Sequence, residues 1–122
     1  CRTSPKAFEI LTSNGYEVSI NALGRKMKPM EVKDAAKDFD ALIAGTEDLT
    51  PLVESTKNVK LISRVGVGLD SVPLEVCKIK GIAVAYTPDA VSPAVSELAV
   101  SLIIDAMRKV TFADREIRGG AW

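Results

Sequence analysis

The chain has 122 residues, 47% apolar and 26% charged, which is the composition of a globular domain with a workable core. Sixteen basic and sixteen acidic side chains cancel, so the basic excess of a nucleic-acid binder is missing. Histidine is absent as well, which argues against a self-sufficient metalloenzyme or triad hydrolase.

In chain order, the first expected element is a helix opening near Pro5, with Ser4 as its N-cap and Asn14-Gly15 as its stop. Short Val-, Ile- and Ala-rich runs then recur at Val18–Ile20, Ala41–Ala44, Leu61–Val67 and Ile82–Tyr86. Their starts lie 23, 20 and 21 residues apart, and each run is short enough for a buried strand. Between them Pro29, Pro51 and Pro73 mark helix starts, because proline suits the first turn, where its missing N–H would be unpaired anyway. Thr50 and Ser92 are expected to cap the helices that follow, and Lys80-Gly81 to end one. Alternating strand and helix at this interval predicts an α/β fold with a parallel sheet covered on both faces. Run backward, the interval places a further strand before Cys1; the alternative is a four-stranded domain that starts with a helix.

The last predicted helix, from Pro93 to Arg108, carries a broad apolar face. Val95, Leu98, Ala99, Leu102, Ile103 and Ala106 form one stripe, which Val100, Ile104 and Met107 widen. Glu97, Ser101, Asp105 and Arg108 leave only a narrow polar one. A helix this apolar asks for two partners, its own domain and a second domain or subunit; a central core helix is the alternative. The nearly apolar run Leu98–Met107 is too short to cross a bilayer, and Cys-Arg-Thr-Ser-Pro does not read as a signal peptide. Two cysteines, Cys1 and Cys77, make no disulfide framework, so a cytoplasmic location is expected. Cys77 reads as inert packing.

The strongest local motif is Arg64-Val65-Gly66-Val67-Gly68-Leu69-Asp70, between a strand and the helix near Pro73. Two glycines at a strand end free the backbone to bend and turn N–H groups outward, which suits a carboxylate. It is not a dinucleotide loop, since Ser71 stands where the third glycine belongs. A tight strand-to-helix turn is the plainer alternative. Arg64 is a candidate carboxylate partner or else a structural ion pair. Asp70 is expected to cap the next helix, and Tyr86-Thr87-Pro88-Asp89 to be a surface turn. Thr46, in Ala44-Gly45-Thr46-Glu47-Asp48, is expected to face the same cleft as the glycines.

These residues, with Lys80-Gly81-Ile82-Ala83-Val84, Thr87-Pro88-Asp89, Ser96-Glu97-Leu98 and Arg118-Gly119-Gly120-Ala121-Trp122, occur in the order and spacing of a known family. The chain resembles the substrate-binding part of the D-isomer-specific 2-hydroxyacid dehydrogenases, of the phosphoglycerate dehydrogenase and glyoxylate/hydroxypyruvate reductase kind. The resemblance implies a flavodoxin-like three-layer domain over residues 1–122, hinged to a Rossmann domain that this chain does not contain. It implies a small 2-hydroxy or 2-keto acid held by Thr46, Arg64, Val65, Gly66, Val67 and Gly68. Val67 would lie toward the nicotinamide of NAD or NADP, which the other domain holds. It also implies a homodimer through the Pro93–Arg108 helix and that domain. The family's catalytic arginine, glutamate and histidine have no counterpart here, so the chain alone is expected to be inactive, with no metal, nucleic-acid or membrane partner. In phosphoglycerate dehydrogenases a basic residue near Gly45 meets the phosphate. Here Glu47 would repel one, and Arg25 or Lys26 is the only substitute in view. The rival readings are a stand-alone flavodoxin-like binding module and a protein-interaction module. The first lacks the acidic cluster of a receiver and has only Thr3-Ser4 toward a flavin phosphate loop.

Overall fold

The computed structural model describes residues 4–121; Cys1, Thr3 and Trp122, which figure in the motifs above, lie outside them. The chain divides into two compact units, the first ending at Tyr86 and the second beginning at Thr87.

The first unit runs α1 (Pro5–Ser13), α2 (Pro29–Ala36), β1 (Ala41–Ala44), α3 (Thr50–Ser55), β2 (Leu61–Arg64), α4 (Leu74–Lys80) and β3 (Ala83–Tyr86). The strands form one parallel sheet in the order β1-β2-β3, with Ala41 opposite Leu61 and Leu61 opposite Ala83. Proline stands at the first helical position of α1 and α2, in the first turn of α3, and immediately before α4. Gly81 ends α4 in the left-handed region (φ 69°), where a side chain would be strained.

Side chains alternate across the sheet, as a pleat requires. Ala44, Ile62 and Arg64 point inward, with Leu42 and Val84 packed beside them. Around Ile62, which is fully buried, gather Val32 and Ala36 of α2, Leu52 and Val53 of α3 and Cys77 of α4. Burial pushes the Cys77 thiol up from its ordinary pKa, in keeping with an inert packing role. The opposite pleat exposes Ala41, Ile43, Leu61, Ala83 and Ala85. The core of this unit therefore lies on one face of the sheet. Strands in sequential order joined by crossovers of one hand send their helices to the same side; two-sided coverage needs the order to reverse.

Three local expectations change. Val18–Ile20 forms no strand: it is irregular, Ile20 is 51% exposed, and no ladder partner exists for it among the described residues. β-branched composition makes a strand only when a neighbour supplies the hydrogen bonds. Thr50 and Ser92 are the first residues of their helices, not caps. For α3 the capping acceptor is Asp48, whose Oδ1 takes the Thr50 N–H at 2.9 Å and whose carboxyl pKa is lowered by that bond. Asp70 precedes α4 by four residues, too far to cap it; Pro73 holds the cap position. Other polar contacts hold loops and helix ends. Glu31 accepts two hydrogen bonds from Arg25 (2.7 and 2.8 Å) and one from the Lys28 N–H (2.7 Å). Lys80 caps the end of α3 through the carbonyls of Glu54 and Thr56.

The second unit contains α5 (Ser92–Arg108) and α6 (Val110–Arg118). Lys109 separates them in the left-handed region (φ 53°). Asp105 holds the break by accepting the Thr111 N–H at 2.7 Å and the Thr111 hydroxyl at 2.8 Å, which lowers its carboxyl pKa. Beyond Arg108 the sequence had suggested no helix, although Val110, Phe112, Ala113 and Ile117 are spaced for one face. No described residue of this unit is buried; Leu98 and Ile103 of α5 are each 60% exposed. None of the described helices is long and apolar enough to cross a membrane.

Candidate functional site

Parallel strands end on the same edge of a sheet, so the loops leaving β1 and β2 share one rim. Two hydrogen bonds tie them together. The Val65 N–H donates to the Ala44 carbonyl (2.9 Å), and the Leu49 N–H donates to the Ser71 carbonyl (2.9 Å). The loop that carries Thr46 thus lies beside Arg64 and the glycine loop.

Gly66 bends the chain with φ 135°, a region that side chains rarely adopt. The space beside it is also taken: a Cβ on Gly66 would sit 2.8 Å from Nη1 of Arg64. Arg64 is the last residue of β2 and is 9% exposed. Its side chain folds along the loop, with Nη1 donating to the Val65 carbonyl. Its Nε is buried and has no hydrogen-bond partner, and among the described residues no carboxylate pairs with it. A buried guanidinium without a counter-ion is costly, and an anion in reach of its remaining N–H groups lowers that cost.

The backbone donors divide in a way the sequence did not reveal. The Val65 N–H is committed to the sheet, and Gly66 is likewise engaged. Among the described residues no acceptor is bonded to the N–H groups of Val67 and Gly68, both exposed residues. A turned loop with two successive open amides beside a guanidinium is suited to a carboxylate. Thr46 is exposed on the neighbouring loop. Glu47, which sequence reasoning treated only as a charge, has its carboxylate against the backbone of Gly45; a Cβ there would lie 2.7 Å from Oε2. Asp70 approaches Gly68 in the same manner, at 3.3 Å. A shallow hollow opens beside the glycines, between Leu69, Asp70 and the start of α4 at Leu74. In the second unit, Pro88-Asp89 forms the expected surface turn, with Asp89 at φ 60°.

The loop cannot also cradle a dinucleotide pyrophosphate. Ser71 replaces the third glycine, the carbonyl of that residue is bonded to Leu49, and α4 begins only at Leu74 with seven residues. Val67, 52% exposed, offers a nicotinamide no more than an apolar contact. Among the described residues no three His, Cys, Asp or Glu side chains are placed to hold a metal.

Comparison with known proteins identifies the family. The family model described as D-isomer specific 2-hydroxyacid dehydrogenase, catalytic domain, matches residues 1–119. A hydroxypyruvate reductase of Thermotoga maritima is 34% identical over 94 residues, covering 75% of this chain and 31% of that protein. A D-3-phosphoglycerate dehydrogenase of Archaeoglobus fulgidus is 27% identical over 121 residues, covering 98% of this chain and 22% of that protein. Among solved structures, a Polaromonas sp. JS6 66 protein assigned to the D-isomer specific 2-hydroxyacid dehydrogenases, NAD-binding, superposes with a TM-score of 0.82 at 26% identity, covering 100% of this chain and 39% of that one. The chain thus spans under a third of the length of these two curated relatives. A stand-alone binding or interaction module is not favoured by these matches.

Proposed function

Because this chain belongs to the D-isomer specific 2-hydroxyacid dehydrogenases, we propose that it is the substrate-binding part of an NAD- or NADP-dependent oxidoreductase. The reaction is hydride transfer between the nicotinamide and C2 of a small 2-hydroxy or 2-keto acid. One observation carries the reading: Arg64, buried and without a carboxylate partner among the described residues, stands beside the open N–H groups of Val67 and Gly68 on the sheet rim. These groups hold the substrate carboxylate, with Thr46 on the facing loop and the bend at Gly66 aiming the donors. Val65 contributes its carbonyl to Arg64, not a donor to the substrate. The cofactor supplies the hydride and is bound mainly outside this chain, with Val67 on its nicotinamide side. A histidine for exchanging the hydroxyl proton is likewise not among these residues. The apolar surface of α5 makes a homodimer contact, and the protein works in the cytoplasm.

The test uses the chain and the complete gene product that carries it. Hydroxypyruvate is expected to shift the Val67 and Gly68 amide resonances of the chain without turnover, while the complete product oxidises NADH or NADPH with it. Gly66→Ala, forced out of φ 135° and into Arg64, is expected to abolish the amide response and destabilise the fold by about 1–3 kcal/mol. Shifts elsewhere but not at this loop, or a Gly66→Ala chain that folds and responds like the parent, would overturn the assignment.

A further inference from the structure

The matched relatives act, by their names, on an acid that carries a phosphate and on one that does not: D-3-phosphoglycerate and hydroxypyruvate. The rim of the first unit tells these two apart by charge. Loops 45–49 and 65–73 hold Glu47, Asp48 and Asp70 and not one basic side chain. The cation at this rim is Arg64, whose guanidinium lies against Gly66 and whose buried Nε lacks a partner. It can neutralise one anion, the carboxylate that the amides of Val67 and Gly68 also address.

Glu47 stands on the loop next to this carboxylate site. Ala44 and Arg64 are paired in register, and Val65 donates to Ala44, so Gly45 and Val65 leave adjacent strands side by side, about 5 Å apart. The Glu47 carboxylate rests on Gly45 at that point, half-buried and in no ion pair among the described residues. Asp48, bonded to the Thr50 N–H, keeps its negative charge, and Arg25 is held by Glu31 at 2.7 Å, so neither offsets Glu47. A phosphate monoester brings about 1.5 to 2 further negative charges at neutral pH. Placed beside an uncompensated carboxylate of low solvent access, that charge is repelled.

We propose that Glu47 is a specificity-determining residue, restricting the site to 2-hydroxy or 2-keto acids whose carboxylate is their only anionic group. The proposal rests on the reading of Arg64, Val67 and Gly68 as the carboxylate site.

The experiment titrates the chain with hydroxypyruvate and with D-3-phosphoglycerate, following the backbone amides by ¹H–¹⁵N NMR at an ionic strength near 0.01 M, where screening is weak. Hydroxypyruvate is expected to bind at least about tenfold more tightly, a difference of about 1.4 kcal/mol. Glu47→Gln brings the ratio toward parity and Glu47→Lys reverses it. Raising the ionic strength to about 1 M compresses the ratio in the unmodified chain, because screening then acts within about 3 Å. Phosphoglycerate binding as tightly as hydroxypyruvate, or a ratio that survives both Glu47→Gln and high salt, overturns the selectivity and leaves the carboxylate site standing. If the spectrum of a variant shows a disturbed fold, the salt dependence decides alone: an unchanged ratio refutes the role of Glu47. Silence of Val67 and Gly68 toward both acids overturns this proposal together with the site on which it rests.

Discussion

α3 and α5 present opposite outcomes for apolar sequence. α3 has six residues, and its Leu52 and Val53 are both fully buried. α5 has seventeen and a far larger apolar surface, and not one of its side chains is buried. Hydrophobic content therefore does not tell whether a helix is inside. Burial of α3 comes from β2 and the neighbouring α2 and α4, whose side chains close around it. The α5 surface, with Leu98, Leu102, Ile103 and Met107 all more than half exposed, is the kind of contiguous patch that marks an interaction site.

The largest expected effect tests this contrast in stability. Ile62→Ala removes a fully buried side chain from the core and is expected to cost about 2–5 kcal/mol. Leu98→Ala, on the exposed α5, is expected to stay within about 0.5 kcal/mol in the monomeric chain. Urea unfolding followed by circular dichroism measures both, and equal losses would erase the distinction between the two helices.

A second experiment sharpens it. If the α5 surface is a contact between copies of the chain, Leu98→Asp with Ile103→Asp should weaken self-association at least about tenfold. Sedimentation velocity over a concentration series reads this directly. A chain that stays monomeric at every concentration before substitution would assign α5 to a different partner.

The smallest effect concerns pH. Arg25, and next the Lys28 N–H, hold the Glu31 carboxyl at about 2, against an ordinary 4.5. A carboxyl depressed on folding contributes stability above its unfolded pKa and loses it as pH falls through the folded one. Melting temperature should therefore decline between about pH 4.5 and pH 2 more steeply in the parent than in Glu31→Gln. The pair is open to solvent, so the difference should be small and shrink in salt. Parallel pH profiles for the two proteins would show that the Arg25 bridge does not order this loop in solution.

Much of the first unit was legible in the sequence. The strand at Ala41–Ala44, the one at Leu61–Arg64, which ends three residues before the expected run Leu61–Val67 does, and the third beginning one residue later than Ile82 were marked by short apolar runs between proline starts and glycine stops. Those signals are local: proline limits φ, glycine admits positive φ, and branched apolar side chains suit a parallel strand. The glycine loop was legible for the same reason, as was its unsuitability for a dinucleotide. The resemblance of the motifs to a family was legible too, and the family match bears it out.

What stayed hidden depended on what lies opposite each residue. Val18–Ile20 has the composition of a strand but no neighbour to pair with, and Asp70 the chemistry of a cap but no helix end within reach. That Arg64 is buried without a carboxylate, that Val67 and Gly68 keep their amides open while Val65 does not, and that Glu47 leans on Gly45 are all facts about partners. Local sequence selects backbone conformations and the order of elements. Which donors are left over, and which charges meet across a rim, is settled only when the strands align, because a hydrogen bond or a Coulomb contact belongs to two residues far apart in the chain.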